Sequence, residues 1–178
     1  GKVYLILGDT TSDTPNLDGI MSDYGLKKVS GYIADTQRCY QGNYYAIFPQ
    51  LSLSGDLGSG ISNQMVLLLN SPGMEKTDTD NDNLTVTPFM QTSDSGYAVT
   101  ENDQTQGQYI LGAVSTNAIS ADSSDSDSED EDDKSDATDT DTKTARLTVL
   151  ASASMISSDI TDQLTTLDNL TLFVNSVT

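Results

Sequence analysis

The side chain most used to move protons at neutral pH is missing: the 178-residue chain has no histidine. Serine and cysteine hydrolase mechanisms built on an imidazole base are thereby excluded, and with them nearly all catalytic zinc sites. Cys39, the single cysteine, makes no intramolecular disulfide, and one thiol without imidazole makes no zinc site. The 27 acidic residues leave carboxylate chemistry open. Carboxylate pairs that cleave glycosides usually sit beside stacking aromatics, however, and this chain has no tryptophan and eight scattered tyrosines.

Three acidic or glycine-rich stretches come nearest to known sites. Asp94-Ser95-Gly96 matches half of an aspartyl-dyad motif, with Asp9-Thr10-Thr11 as a distorted second half. Thr92 and Ser93 stand where apolar residues would precede the first aspartate, and the second half lacks its glycine, so a turn is the better reading of 94–96. Asp78, Asp80 and Asp82 occupy the first, third and fifth places of a calcium loop, but Asn83 and Phe89 replace the required glycine and glutamate. Gly55, Gly58 and Gly60 lack the spacing, the preceding buried strand and the following helix of a dinucleotide fingerprint. No catalytic residue, metal or cofactor is assigned. The one aromatic cluster, Tyr40, Tyr44, Tyr45 and Phe48, either seals a sheet edge or presents a contact surface.

Residues 3–7 form an uninterrupted apolar run, the mark of a strand buried on both faces of a parallel sheet. A polar turn follows, and then Thr14 as N-cap, Pro15 at the first helical position, and Leu17, Ile20, Met21 and Tyr24 on one face predict a short helix that Gly25 ends. Strand, loop and helix open a βαβ unit. Further strands are predicted at 29–34, 65–69, 84–92, 108–115 and 145–151, with Pro88 marking an edge or a bend, and a helix at 160–177. The pattern predicts one α/β domain over 1–178, an open and mostly parallel sheet with flanking helices.

Charge is distributed unevenly. Of the 27 acidic residues, 11 lie in 120–142 beside a single lysine, so 120–143 is expected to be a disordered acidic insertion in the domain. Net charge is −19, and the basic residues form no stripe, which argues against nucleic acid and anionic membrane surfaces as partners. There is no apolar run of membrane-spanning length. Gly1 directly ahead of the first strand suggests an excised piece of a longer protein, truncated at both ends.

Several segments, in order, carry a resemblance. They are Thr14-Pro15-Asn16-Leu17-Asp18 leading to Tyr24-Gly25-Leu26, Gly31-Tyr32-Ile33-Ala34-Asp35, Tyr44-Tyr45-Ala46-Ile47-Phe48-Pro49, Val86-Thr87-Pro88-Phe89-Met90-Gln91-Thr92-Ser93, Ile110-Leu111-Gly112-Ala113-Val114, Ala145-Arg146-Leu147-Thr148-Val149-Leu150 and Asn169-Leu170-Thr171-Leu172-Phe173-Val174-Asn175. In these the chain resembles the extracytoplasmic region of gliding-motility-type (GldG-like) ABC transporter auxiliary proteins. The resemblance implies a flavodoxin-like or glutamine-amidotransferase-like α/β domain on the outer face of a bacterial membrane. It would be tethered by transmembrane segments outside this chain and would work with ABC permease and ATPase subunits. The role expected is non-catalytic contact with those partners or with exported cargo. The alternative is a small-molecule or saccharide receptor, with its site beyond the carboxyl ends of the strands. The candidate surface residues are Asp9, Thr10, Thr11 and Ser12, Tyr40, Tyr44 and Tyr45, and Ser152 and Ser154.

Overall fold

A computed structural model describes residues 1–8, 13–119 and 143–178. The acidic stretch 120–142 and the candidate residues Asp9 to Ser12 lie outside the described residues.

The chain begins with strand β1 (Lys2–Ile6) and helix α1 (Pro15–Asp23), followed by β2 (Leu26–Val29), β3 (Tyr32–Asp35), β4 (Cys39–Tyr40), β5 (Asn43–Ile47) and β6 (Gln50–Leu51). A 3₁₀ turn at Gly55–Gly58 leads to β7 (Leu68–Leu69), β8 (Gly73–Lys76), β9 (Leu84–Gln91), β10 (Gly96–Val99), β11 (Gln104–Gly107), β12 (Ile110–Ile119) and β13 (Lys143–Leu150). The chain closes with a 3₁₀ turn at Ala153–Ile156, a single-turn helix α2 (Ser158–Thr161) and α3 (Asn169–Val177).

The expected open parallel sheet is not what forms. Among the described residues strands take 41% and helices 20%, and only one strand pair is parallel, so this part of the chain is mostly β and mostly antiparallel. Seven strands make the main sheet in the order β1-β13-β12-β8-β2, with β9 also beside β12 and β6 beside β9. Two small sheets, β11-β10-β3 and β4-β5-β7, complete the β structure of the described residues. The expected βαβ unit fails because β1 and β2 stand at opposite ends of the main sheet. β1 runs parallel to β13, the last strand in sequence, whereas β2 pairs antiparallel with β8.

The register sorts side chains into two faces. Val3, Leu147, Ser115 and Val86 are aligned across one, and Tyr4, Thr148, Val114 and Thr87 across the other. The C-terminal end of α1 lies on the first face, where the Ser115 hydroxyl donates to the Tyr24 carbonyl at 2.7 Å. Helix α3 covers the second, with Phe173 edge-on to Tyr4 at 5.9 Å and the Tyr4 hydroxyl 2.7 Å from that of Ser176. Between the layers lie fully buried Met21, Leu26, Met74, Phe89, Leu111 and Leu147. Beside Pro88 the β9–β12 register slips twice, leaving Leu111 and Phe89 without opposite partners and turning both into the core.

Four other expectations are corrected by identifiable contacts. β1 is an edge strand, with Val3 58% exposed, and is not buried on both faces. The predicted strand 29–34 splits into β2 and β3 at Gly31, whose φ of 85° turns the chain out of one sheet and into another. A Cβ at Gly31 would lie 2.1 Å from the Val99 carbonyl oxygen, so only glycine fits. Thr14 does not cap α1 through its side chain; its hydroxyl donates to Asp18 at 3.2 Å and accepts from Lys28. The predicted helix 160–177 is broken into α2 and α3.

Candidate partner-binding surface

The serines that follow β13 are occupied by the fold. The Leu69 amide donates to the Ser154 hydroxyl at 2.9 Å, and the Ser152 hydroxyl, 2.7 Å from that of Ser154, accepts from the Ser154 amide at 3.1 Å. Ser152 is buried and Ser154 half-buried. Both hydroxyls therefore help hold β7 to the turn after β13.

The tyrosines fall on the small sheet β4-β5-β7. Tyr40 is half-buried and packs edge-on to Phe48 at 5.9 Å, over a second core of Ala46, Leu67 and Ile160. Gln41 donates to the Tyr40 hydroxyl at 3.0 Å. Tyr45 is half-buried, and its carbonyl accepts from the Asn70 amide at 3.0 Å. Tyr44 is 51% exposed and is the member of the cluster that stays at the surface. The structure thus brings Tyr40, Tyr44 and Tyr45 onto one small sheet.

The most heavily engaged polar side chains were not singled out by the sequence reading. Asp35 ends β3 and is fully buried. One of its oxygens accepts from the amides of Gln37 and Arg38, each at 2.9 Å, and from the Ser93 hydroxyl at 2.8 Å; the other accepts from the Ser93 amide at 2.7 Å. Burial alone would raise its pKa, but these donors outweigh burial and hold the carboxyl below its ordinary value.

A second clamp lies at the break between α2 and α3. Buried Asp168 accepts from the amides of Ser62 at 3.1 Å, Asn63 at 2.9 Å and Met65 at 3.4 Å, around Gln64 in the left-handed region at φ 53°. Here too burial pushes the pKa up and the amides bring it below the usual carboxylate value. Neighbouring Asn169 accepts from the Leu67 amide at 2.9 Å and donates to the carbonyls of Leu67 and Met155 at 2.9 and 3.0 Å. These side chains take backbone groups of 65–67 that a strand would have used, so the predicted strand 65–69 shrinks to β7. Asp168 and Asn169 are legible as a helix-start pair, but their targets lie far away in sequence and leave no local signal.

The remaining motifs resolve into local structure. In 77–83 the Asn81 amide donates to the Thr79 hydroxyl and the Asn83 amide to the Asn81 side chain, which folds the stretch into polar turns. No group of three or more metal-ligating side chains is assembled among the described residues. Residues 94–95 form a turn closed by the Gly96 amide on the Ser93 carbonyl at 3.1 Å. Cys39 is half-buried and reduced in β4. A half-open cleft of about 560 Å³ lies over Leu51, Leu53, Gly58, Ile61 and Gln64 and has no charged lining residue.

Several large apolar side chains are left outside. On α3, Leu170, Val174 and Val177 are 52%, 59% and 51% exposed and share one stripe at helical spacing. No described helix is long and apolar enough to cross a membrane.

No family model matches the sequence, and no curated protein does. Among solved structures the chain is similar to one described as the mmIFT52 N-terminal domain, with a TM-score of 0.55 and 11% identity over 98% of this chain and 62% of that one. The chain thus spans less than two thirds of the solved chain's length. At this identity the likeness is one of fold, and the fold shared is the mostly antiparallel β architecture described above.

Proposed function

We propose that the chain is a non-catalytic contact domain, the extracytoplasmic accessory part of a bacterial ABC-type transport system. It would be tethered to the membrane by segments outside these residues and would meet permease and ATPase subunits or exported cargo. The observation that carries this reading is how the side chains are used. Asp35, Asp168, Ser152 and Ser154 all hold backbone groups of the fold, while Tyr44 and the outer stripe of α3 stay exposed. A receptor site at Ser152 and Ser154 would have to take those hydroxyls away from Leu69 and from each other, so the contact reading is preferred. The order of the GldG-like segments supplies the transport context. To test it, the full-length protein would be expressed with the permease and ATPase encoded beside it, purified by a tag and cross-linked. Co-purification with cross-links near Tyr44 is expected; no co-purification in detergent or nanodisc, or the absence of such neighbouring genes, overturns the assignment.

A further inference from the structure

The free edges of the sheets are not equally protected. β2 carries Lys27 and Lys28, paired to Glu75 at 3.2 Å and Asp18 at 3.0 Å, which obstruct an incoming strand with charge. β11 is Gln-Thr-Gln-Gly, and β4 and β6 are two residues long. β1 has none of these devices: it is five residues long, and its only charged side chain is Lys2. The Arg146 amide donates to the Gly1 carbonyl and the Leu7 amide to the Leu150 carbonyl, both at 2.8 Å, so odd-numbered residues turn their backbone toward β13. By the alternation of a strand, Lys2, Tyr4 and Ile6 turn their N–H and C=O groups outward.

Apolar surface flanks this edge on both faces. Exposed Val3 lies on one. On the other, α3 is held alongside β1 by the Tyr4 contacts and by Lys2 donating to the Thr178 carbonyl at 2.9 Å. Asn175 ties the opposite flank of α3 to Leu57 and Ser59, which leaves the Leu170, Val174 and Val177 stripe on the side away from 57–60. No residue of α3 is charged, in a chain of net charge −19. Lys2 and Arg146 are register partners at the start of β1, and neither forms an ion pair with a described residue. Buried Arg146 Nε has no acceptor among the described residues.

We infer that the β1 edge, between Val3 and the α3 stripe, accepts one extended strand of a partner polypeptide. That strand has apolar side chains at alternate positions and a carboxylate at the end that meets Lys2 and Arg146. Backbone hydrogen bonds supply the attachment, and the alternate side chains and the carboxylate set register. A second copy of this chain is the poorer occupant, because two bodies of charge −19 repel. For the same reason the body of the partner is neutral or basic.

The inference rests on the contact reading and gives it a surface, but its test needs no transporter subunit. The probe is a soluble peptide about seven residues long, of alternating valine and threonine ending in glutamate, titrated into the ¹⁵N-labelled chain. Slowed hydrogen exchange at the amides of Tyr4 and Ile6 is expected. Val3→Lys and Val174→Lys should abolish the response with an unchanged melting temperature. Lys2→Glu should weaken it about fivefold, with recovery when the peptide ends in lysine. No protection of Tyr4 and Ile6 overturns the inference. So does protection that arises without peptide and follows protein concentration, which would make the occupant a second copy. Indifference to Lys2→Glu overturns the carboxylate register. If the peptide binds as described but permease and ATPase do not co-purify, the transport assignment fails and the edge stands.

Discussion

The Asp168–Asn169 clamp and the β1 edge invert the ordinary placement of side chains. At the clamp a carboxylate and an amide lie inside, satisfying backbone groups of 62–67; at the edge valines and a leucine lie outside, next to strand groups with no partner among the described residues. Buried polar groups persist where an irregular backbone would otherwise be unsatisfied, and exposed apolar ones where something else covers them. The contrast separates side chains committed to building the molecule from apolar side chains left at its surface.

The sharpest way to break the contrast is to empty the clamp. Asp168→Ala leaves the amides of Ser62, Asn63 and Met65 without their acceptor and should cost about 3 kcal/mol in urea-melt stability. A loss under about 1 kcal/mol would mean that water replaces the carboxylate without penalty. Asn169→Leu removes three hydrogen bonds at similar volume and should cost about 2 kcal/mol, with faster exchange of the Leu67 amide as its local signature.

Acid should act on the same groups. Asp35 and Asp168 have folded pKa values below their unfolded ones, so the unfolded chain takes up protons first as pH falls. Their stabilisation is complete above the ordinary carboxylate range, roughly pH 4, and is lost as pH drops through the lowered folded values. Melts between neutral and acid pH should show this loss in the native chain and a shallower one in Asp35→Asn. Equal slopes would move the acid sensitivity elsewhere. The smallest effect belongs to the edge: Leu170→Gln and Val177→Thr should change stability by less than about 0.5 kcal/mol. A larger loss would make the stripe part of the core and remove the contrast.

Periodicity read the pieces better than their assembly. The helix at α1, the strands at β9, β12 and β13, and the turn at 94–95 all follow from local pattern and turn chemistry. Strand direction did not, because an apolar run such as 3–7 suits an edge strand under a helix as well as the middle of a parallel sheet. What decided it was the pairing of β1 with β13, a choice no window of residues contains. Gly31 is plain in the sequence, yet its role in passing the chain between sheets depends on the distant Val99 carbonyl. Of the candidate surface, the tyrosine cluster was legible as a group. Ser152 and Ser154 were legible as polar residues after a strand, but not as supports of Leu69.

The parallel pairing of β1 with β13 also orders events during synthesis. Lys2 leaves the ribosome long before its register partner Arg146. Until then the first strand has no neighbour within the sheet, while antiparallel pairs such as β10 and β11 close as soon as they are translated. Docking of the first strand is therefore a late, high-contact-order step, on the millisecond-to-second scale of non-local β pairing rather than that of helix formation. A nascent chain stalled before residue 143 carries β1 as a sticky, unclaimed ribbon.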